Sequence, residues 1–139
     1  MDVGEIYCHD RFYVDANGVL RAKYFVVFAL APSGDIVARL LTSRGGRVRE
    51  PRCFHGDPYP GFHVGVPGAP LDRDTWIDLR PTDDFDGDQV GGALRKGIIR
   101  FITRLPQPQL FAAMECAAAA QDTTRLQERL IRDALARMR

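Results

Sequence analysis

The chain has 139 residues, enough for one compact domain and too few for two ordinary ones, so a single domain over 1–139 is expected. Hydrophobic residues make up 45% of it, which suffices for a core, and no apolar run is long enough to span a bilayer. The formal net charge of +1 names no partner, because it hides a local asymmetry. Residues 39–52 are rich in arginine, whereas residues 72–88 carry Asp72, Asp74, Asp78, Asp83, Asp84, Asp86 and Asp88.

The opening Met1-Asp2-Val3-Gly4-Glu5 is acidic and no long apolar run follows, which is unlike a signal peptide. Cys8, Cys53 and Cys116 are odd in number and widely spaced. That spacing predicts no disulfide framework, and with it a reducing, cytoplasmic location.

Residues 4–9 read as a first strand. Asp15-Ala16-Asn17-Gly18 is a turn signal, with Asn-Gly its strongest dipeptide. Strands are predicted at 22–31 and 35–43, where Val26, Val27, Phe28, Ile36 and Val37 are β-formers and Pro32-Ser33-Gly34-Asp35 is the turn between them. Residues 44–60 form a long loop rich in Arg, Gly and Pro, with Gly45 and Gly46 beside Arg44. Phe62, Val64 and Val66 alternate as a half-buried strand would, until Pro67-Gly68-Ala69-Pro70 breaks the pattern. Trp76, Ile77 and Leu79 mark a further strand, with Trp76 in the core.

Residues 83–92 are polar and glycine-containing and read as a loop. Its run Asp83-Asp84-Phe85-Asp86-Gly87-Asp88 fails as a calcium loop, because Thr82 and Ala93 would stand where carboxylates belong. Residues 98–103 read as the last strand. Beyond Pro106 and Pro108, residues 110–120 have high helix propensity. A second helix starts near Asp122-Thr123-Thr124, where Thr124 and Gln127 have capping-box spacing. Its apolar face is Leu126, Leu130, Ile131, Ala134, Leu135 and Met138. About six short strands followed by two helices fit a mainly β (α+β) domain, a small barrel over 4–104 with C-terminal helices over 107–139.

The candidate chemistry lies in residues 21–55. Arg44, Arg47, Arg49 and Arg52 crowd the loop that follows Thr42 and Ser43, and Arg21 shares a strand face with Lys23. Hydroxyls at a strand end beside guanidinium groups suit a polyanion better than an apolar ligand. A cation and a hydroxyl on adjacent strands can stabilise charge on a phosphoryl group without a metal. His55 follows the arginine cluster and is the candidate for proton transfer among His9, His55 and His63. Cys8-His9 and Cys53-Phe54-His55, with His63 downstream, can be drawn as a zinc site. However, no C-x-x-C occurs and the spacing is no known zinc pattern, so no metal and no cofactor are expected.

Gly4-Glu5-Ile6-Tyr7, Lys23-Tyr24-Phe25-Val26-Val27, Leu41-Thr42-Ser43 and Asp74-Thr75-Trp76-Ile77-Asp78-Leu79 come in the order of short motifs in the MazF/PemK family of RNA-cutting toxins. Together with residues 97–104 and the helix beyond, the chain resembles that family over about residues 4–120. Lys23-Tyr24 stands where the family has arginine before proline.

The resemblance implies an SH3-like barrel of the MazF/PemK/CcdB type. It also implies a metal-independent endoribonuclease that cuts single-stranded RNA and leaves a 2′,3′-cyclic phosphate. Lys23, Thr42, Ser43 and His55 would be catalytic, and Arg21, Arg44, Arg47, Arg49 and Arg52 would bind RNA. A homodimer and a small antitoxin partner are implied with it. The alternatives are a catalytically inactive barrel that binds nucleic acid or protein, and a CcdB-like gyrase binder.

Overall fold

The computed structural model of the protein describes residues 1–44, 47–82 and 85–139. Strands β1 (Glu5–Val14), β2 (Leu20–Leu30) and β3 (Ile36–Thr42) form an antiparallel meander. Asp15 caps the first turn by accepting from the amides of Asn17 at 2.9 Å and Val19 at 3.0 Å. Gly18 (φ +76°) and Gly34 (φ +95°) supply the left-handed positions that close the two turns. β4 (Cys53–Phe54), β5 (Gly61–Gly65) and β6 (Thr75–Asp78) extend the sheet from β3, and β7 (Ile99–Arg104) returns beside β1.

The sheet order is β4-β5-β6-β3-β2-β1-β7. The architecture is therefore mainly β, with α1 (Gly87–Arg95), α2 (Gln107–Ala119) and α3 (Arg125–Met138) packed on the sheet. The expected closed barrel is not what forms. β4 and β7 are the two edges and do not pair with each other among the described residues, so the sheet is open. β4 has only two residues, and β7 runs through Leu105-Pro106 directly into α2, which leaves little ladder to close on.

The sheet buries both faces. Val26, Leu41, Ile77, Leu110, Met114 and Ile131 belong to a core between the sheet and α2–α3. On the other face Tyr7, Phe25, Val27, Phe85, Val90 and Ile99 pack beneath α1. α3 starts where the capping-box spacing placed it: Thr124 accepts from the Gln127 amide at 3.1 Å.

α1 corrects the reading of 83–92 as a loop. Asp83 and Asp84 lie outside the described residues, but from Gly87 the chain is helical. Asp86 caps it by accepting from the amides of Asp88 and Gln89, both at 3.0 Å. Phe85, whose ring lies 4.6 Å from that of Phe25, and Val90 anchor the helix to the sheet. Gly91 and Gly92 depress its propensity and hide it, and burial overrides them.

Cysteine pairing is the second correction. Cys53 and Cys116, expected as thiols, form a disulfide that ties β4 to α2, and only Cys8 is free and buried. The cysteine count therefore no longer bears on the compartment.

Gly87 meets the β2–β3 turn closely. A Cβ there would stand 2.4 Å from the Gly34 carbonyl oxygen, which is backbone and cannot swing aside. Gly87→Ala is expected to cost roughly 1–3 kcal/mol by forcing α1 off that turn. Gly91→Ala, whose Cβ would meet only the flexible end of Arg95 at 3.4 Å, is expected to be neutral or stabilising. Denaturant midpoints of the two variants check the pair.

Candidate functional site

Strand alternation assembles the site. Lys23 lies two residues before Phe25 on β2 and Thr42 two residues after Leu40 on β3, and Phe25 and Leu40 are cross-strand partners. Leu40 also pairs with Asp78 on β6. Lys23, Thr42 and Asp78 therefore share the α1 face of the sheet, at the end where its apolar packing stops.

A groove of about 300 Å³ lies there, lined by Tyr13, Lys23, Thr42, Arg44, Arg47, Tyr59, Asp78 and Arg80. A second hollow of about 400 Å³ shares Tyr13, Lys23, Thr42 and Arg44 and adds Arg21, Ser43, Asp72 and Arg73. Thr42 lines a third, of about 330 Å³, together with Arg47, Tyr59 and Trp76. Thr42 thus stands where the three meet.

Arg80 grips Asp78 through two bonds, Nε to Oδ1 at 3.1 Å and a terminal nitrogen to Oδ2 at 2.7 Å. The guanidinium groups of Arg80 and Arg47 lie 3.7 and 4.3 Å from the centre of the Tyr59 ring. The segment bearing Arg47 is held down by Trp76, whose indole N–H donates to the Val48 carbonyl at 2.7 Å. Arg47 Nε is buried and has no hydrogen-bond partner among the described residues. A buried donor of this kind is costly until an acceptor reaches it.

The groove sets four cations against one carboxylate. Burial, and then the nearby Arg44 charge, push the Lys23 ammonium pKa below its usual value, against the pull of Asp78. Burial also lowers the pKa of Arg47, whereas the hydrogen bonds to Asp78 raise that of Arg80. This arrangement can hold a phosphodiester in a cationic cleft, offer it a hydroxyl from Thr42, and present the ring of Tyr13 to an unstacked base.

The sequence candidates divide. Lys23, Thr42 and Ser43 come together, with Arg21, Arg44 and Arg47 around them. Arg21 also pairs with Asp15 at 2.7 Å. Arg49 is engaged elsewhere, at 2.8 Å from Asp74, whose other oxygen lies 2.6 Å from His63 Nε2. The hydrogen bond from His63 is the main reason that the Asp74 carboxyl is held below the usual carboxylate range.

Arg52 lies beside Cys53 in a hollow against α2. His55 lines none of the groove cavities; its Nε2 lies 3.0 Å from the Cys116 carbonyl oxygen. His9, passed over in favour of His55, is the cross-strand partner of Lys23. Tyr13, Tyr59, Asp78 and Arg80 escaped sequence reasoning. The one signal for them was Asp78-x-Arg80, a same-face spacing at a strand end.

Comparison of the chain with family models, with curated proteins and with solved structures gives no match in any of the three.

Proposed function

We propose that the protein is a toxin-like endoribonuclease that cleaves single-stranded RNA without a metal. The convergence of Lys23, Thr42 and Arg44 beside the Nε of Arg47, buried and without a partner among the described residues, in a groove walled by Tyr13 and Tyr59, carries this reading. In the reaction the RNA 2′-hydroxyl gives its proton to solvent as its oxygen attacks the adjacent phosphorus, the bond to the 5′-oxygen breaks and that oxygen takes a proton from solvent, so a 2′,3′-cyclic phosphate forms. Lys23 and Arg44 stabilise the charge that gathers on the non-bridging oxygens, and Thr42 donates a hydrogen bond to one of them. The open seven-stranded sheet is read as a member of the SH3-like MazF/PemK/CcdB barrel lineage. A small antitoxin, a homodimer and a cytoplasmic setting belong to the same reading.

The test is incubation of disulfide-intact protein with mixed-sequence single-stranded RNA in EDTA, followed by analysis of the product ends. Cleavage with cyclic-phosphate ends supports the proposal. The second reading is a non-catalytic nucleic-acid binder, and it is favoured by the absence of any imidazole from the groove lining among the described residues. Salt-sensitive binding with no cleavage selects it.

Binding is expected to weaken as salt rises. Arg47→Glu should lower affinity and flatten the salt slope by about 1. Arg49→Glu should do little, because Asp74 already neutralises Arg49. Equal losses in the two variants would mean that RNA does not enter this groove.

The Lys23 ammonium is needed as a cation, so cleavage is expected to fall as pH rises through its lowered pKa. That alkaline limb should lie below the ordinary lysine range. It should move upward in Arg44→Ala, which removes a repelling charge, and disappear in Lys23→Arg. A limb unmoved in both variants would assign it to another group.

A further inference from the structure

Away from the groove, Cys53, His55 and Cys116 bring three metal-ligating atoms within 4.8 Å of one another. His55 Nε2 lies 3.4 Å from Cys53 Sγ and 3.4 Å from Cys116 Sγ. A tetrahedral zinc bound at about 2.3 Å to sulfur and 2.0–2.1 Å to nitrogen holds such donors about 3.5 Å apart. The imidazole is thus already at metal-site distance from both sulfurs.

The two sulfurs must separate, to about 3.8 Å in the same geometry, and Nε2 must give up its 3.0 Å contact with the Cys116 carbonyl oxygen. The Cα atoms of Cys53 and Cys116 are 5.6 Å apart. Cys53 sits on the two-residue edge strand β4, so a side-chain rotation on a short, exposed element can supply the movement. A hollow lined by Arg52, Phe62, Pro108 and Glu115 opens at these two cysteines, giving access to a reductant and room for a water.

We infer that the reduced Cys53–His55–Cys116 triad is a binding site for a soft divalent metal, Zn²⁺ in particular, and that the disulfide is its closed, metal-free state. Opening is thiol–disulfide exchange with a dithiol reductant: the Cys53–Cys116 bond breaks, two thiols form, and the reductant leaves as its own disulfide. Zinc then displaces one proton from each thiol and binds neutral His55 through Nε2, whose proton now resides on Nδ1. Two thiolates, one imidazole and a water complete four ligands, as in three-ligand zinc sites with an open position. Either state ties the loop between the groove and β5 to α2; the fully reduced, metal-free state does not.

The sequence argued against zinc because no C-x-x-C occurs; Cys116, 63 residues beyond Cys53, was not in the candidate set, and only the fold brings it to the Cys53-x-His55 pair.

The test uses the full chain, reduced under nitrogen and titrated with Zn²⁺ against a chromophoric chelator, and with Co²⁺ read by absorbance. One equivalent of Zn²⁺ per chain and a thiolate-to-cobalt charge-transfer band are expected. The oxidised protein should bind none. Cys116→Ser and His55→Gln should each weaken zinc binding at least about tenfold, and His55→Gln keeps the disulfide available as a check on folding. Cys8→Ser, which removes the buried thiol outside the triad, should bind as the parent does. Failure of the reduced parent to bind zinc, or full binding by folded His55→Gln, overturns the inference.

Discussion

Replacing Thr42 by alanine is expected to lower the rate of RNA cleavage about a hundred- to a thousandfold, the cost of one preorganised donor, while RNA affinity changes little. The asymmetry follows from what Thr42 does in the groove. Among the described residues its hydroxyl accepts one long 3.4 Å bond, from the Arg44 amide, and donates none. In the proposed reaction ground-state binding rests instead on Lys23, Arg44 and Arg47, whose charges would attract the phosphate at every stage. Thr42→Ser should recover much of the rate because it restores the hydroxyl. Lys23→Arg should be tolerated, whereas Lys23→Ala should lose rate and affinity together. None of these changes touches the core, so thermal stability should be retained, and single-turnover rates measured beside equilibrium binding separate the two effects. Unchanged cleavage in both Thr42→Ala and Lys23→Ala would place the chemistry elsewhere and leave the groove as a binding surface.

The strands of the meander were legible because Val26, Val27 and Phe28 concentrate β-formers between two turns whose glycines take positive φ, and Ile36 and Val37 resume them after the second. The cap of α3 was legible because a side chain three residues from its partner amide is a local fact. What failed was non-local. Whether the sheet closes depends on how much edge β4 and β7 offer each other, and no window of sequence contains both. α1 was hidden by two glycines and is stabilised by aromatic rings from β1 and β2 that pack on Phe85.

The site shows the same division. Lys23 and Thr42 lie in adjacent strands and come together through the β2–β3 register. Tyr59 and Arg80 reach the groove from a loop and from beyond β6, and charge counting cannot place them. The arginine-rich run itself misled in one respect. Arg39, counted with it, points to the opposite face of the sheet from Lys23 and Thr42 and has no exposed surface.

Arg39 carries the largest expected effect on stability. It is 0% exposed in the core between β3 and α3, where an unpartnered guanidinium would be very costly. Among the described residues no carboxylate hydrogen-bonds it; neutral acceptors replace the lost water. Nε donates to the Leu79 carbonyl at 3.2 Å, and the terminal nitrogens donate to the Ala38 carbonyl at 2.8 Å and to Gln127 Oε1 at 3.0 Å. Burial pushes its pKa down to about 10, so it stays cationic at neutral pH. One side chain thereby joins β3, the end of β6 and the first turn of α3.

Arg39→Ala removes those bonds and leaves a cavity, and is expected to cost about 3–5 kcal/mol. Arg39→Met fills much of the space but leaves Leu79 and Gln127 without their donor, so its cost should be smaller, about 1–3 kcal/mol. Gln127→Ala should be less than additive with Arg39→Met, because both remove the same bond. Urea unfolding of the parent, the three single variants and the Arg39→Met/Gln127→Ala double measures all of this. An Arg39→Ala protein within about 1 kcal/mol of the parent would show that the guanidinium only offsets its own desolvation. The groove lies on the other face of the sheet, so Arg39→Met, where folded, should still bind RNA with the parent's salt dependence. A loss of binding in that variant would mean that the helical face and the groove are mechanically coupled through β3.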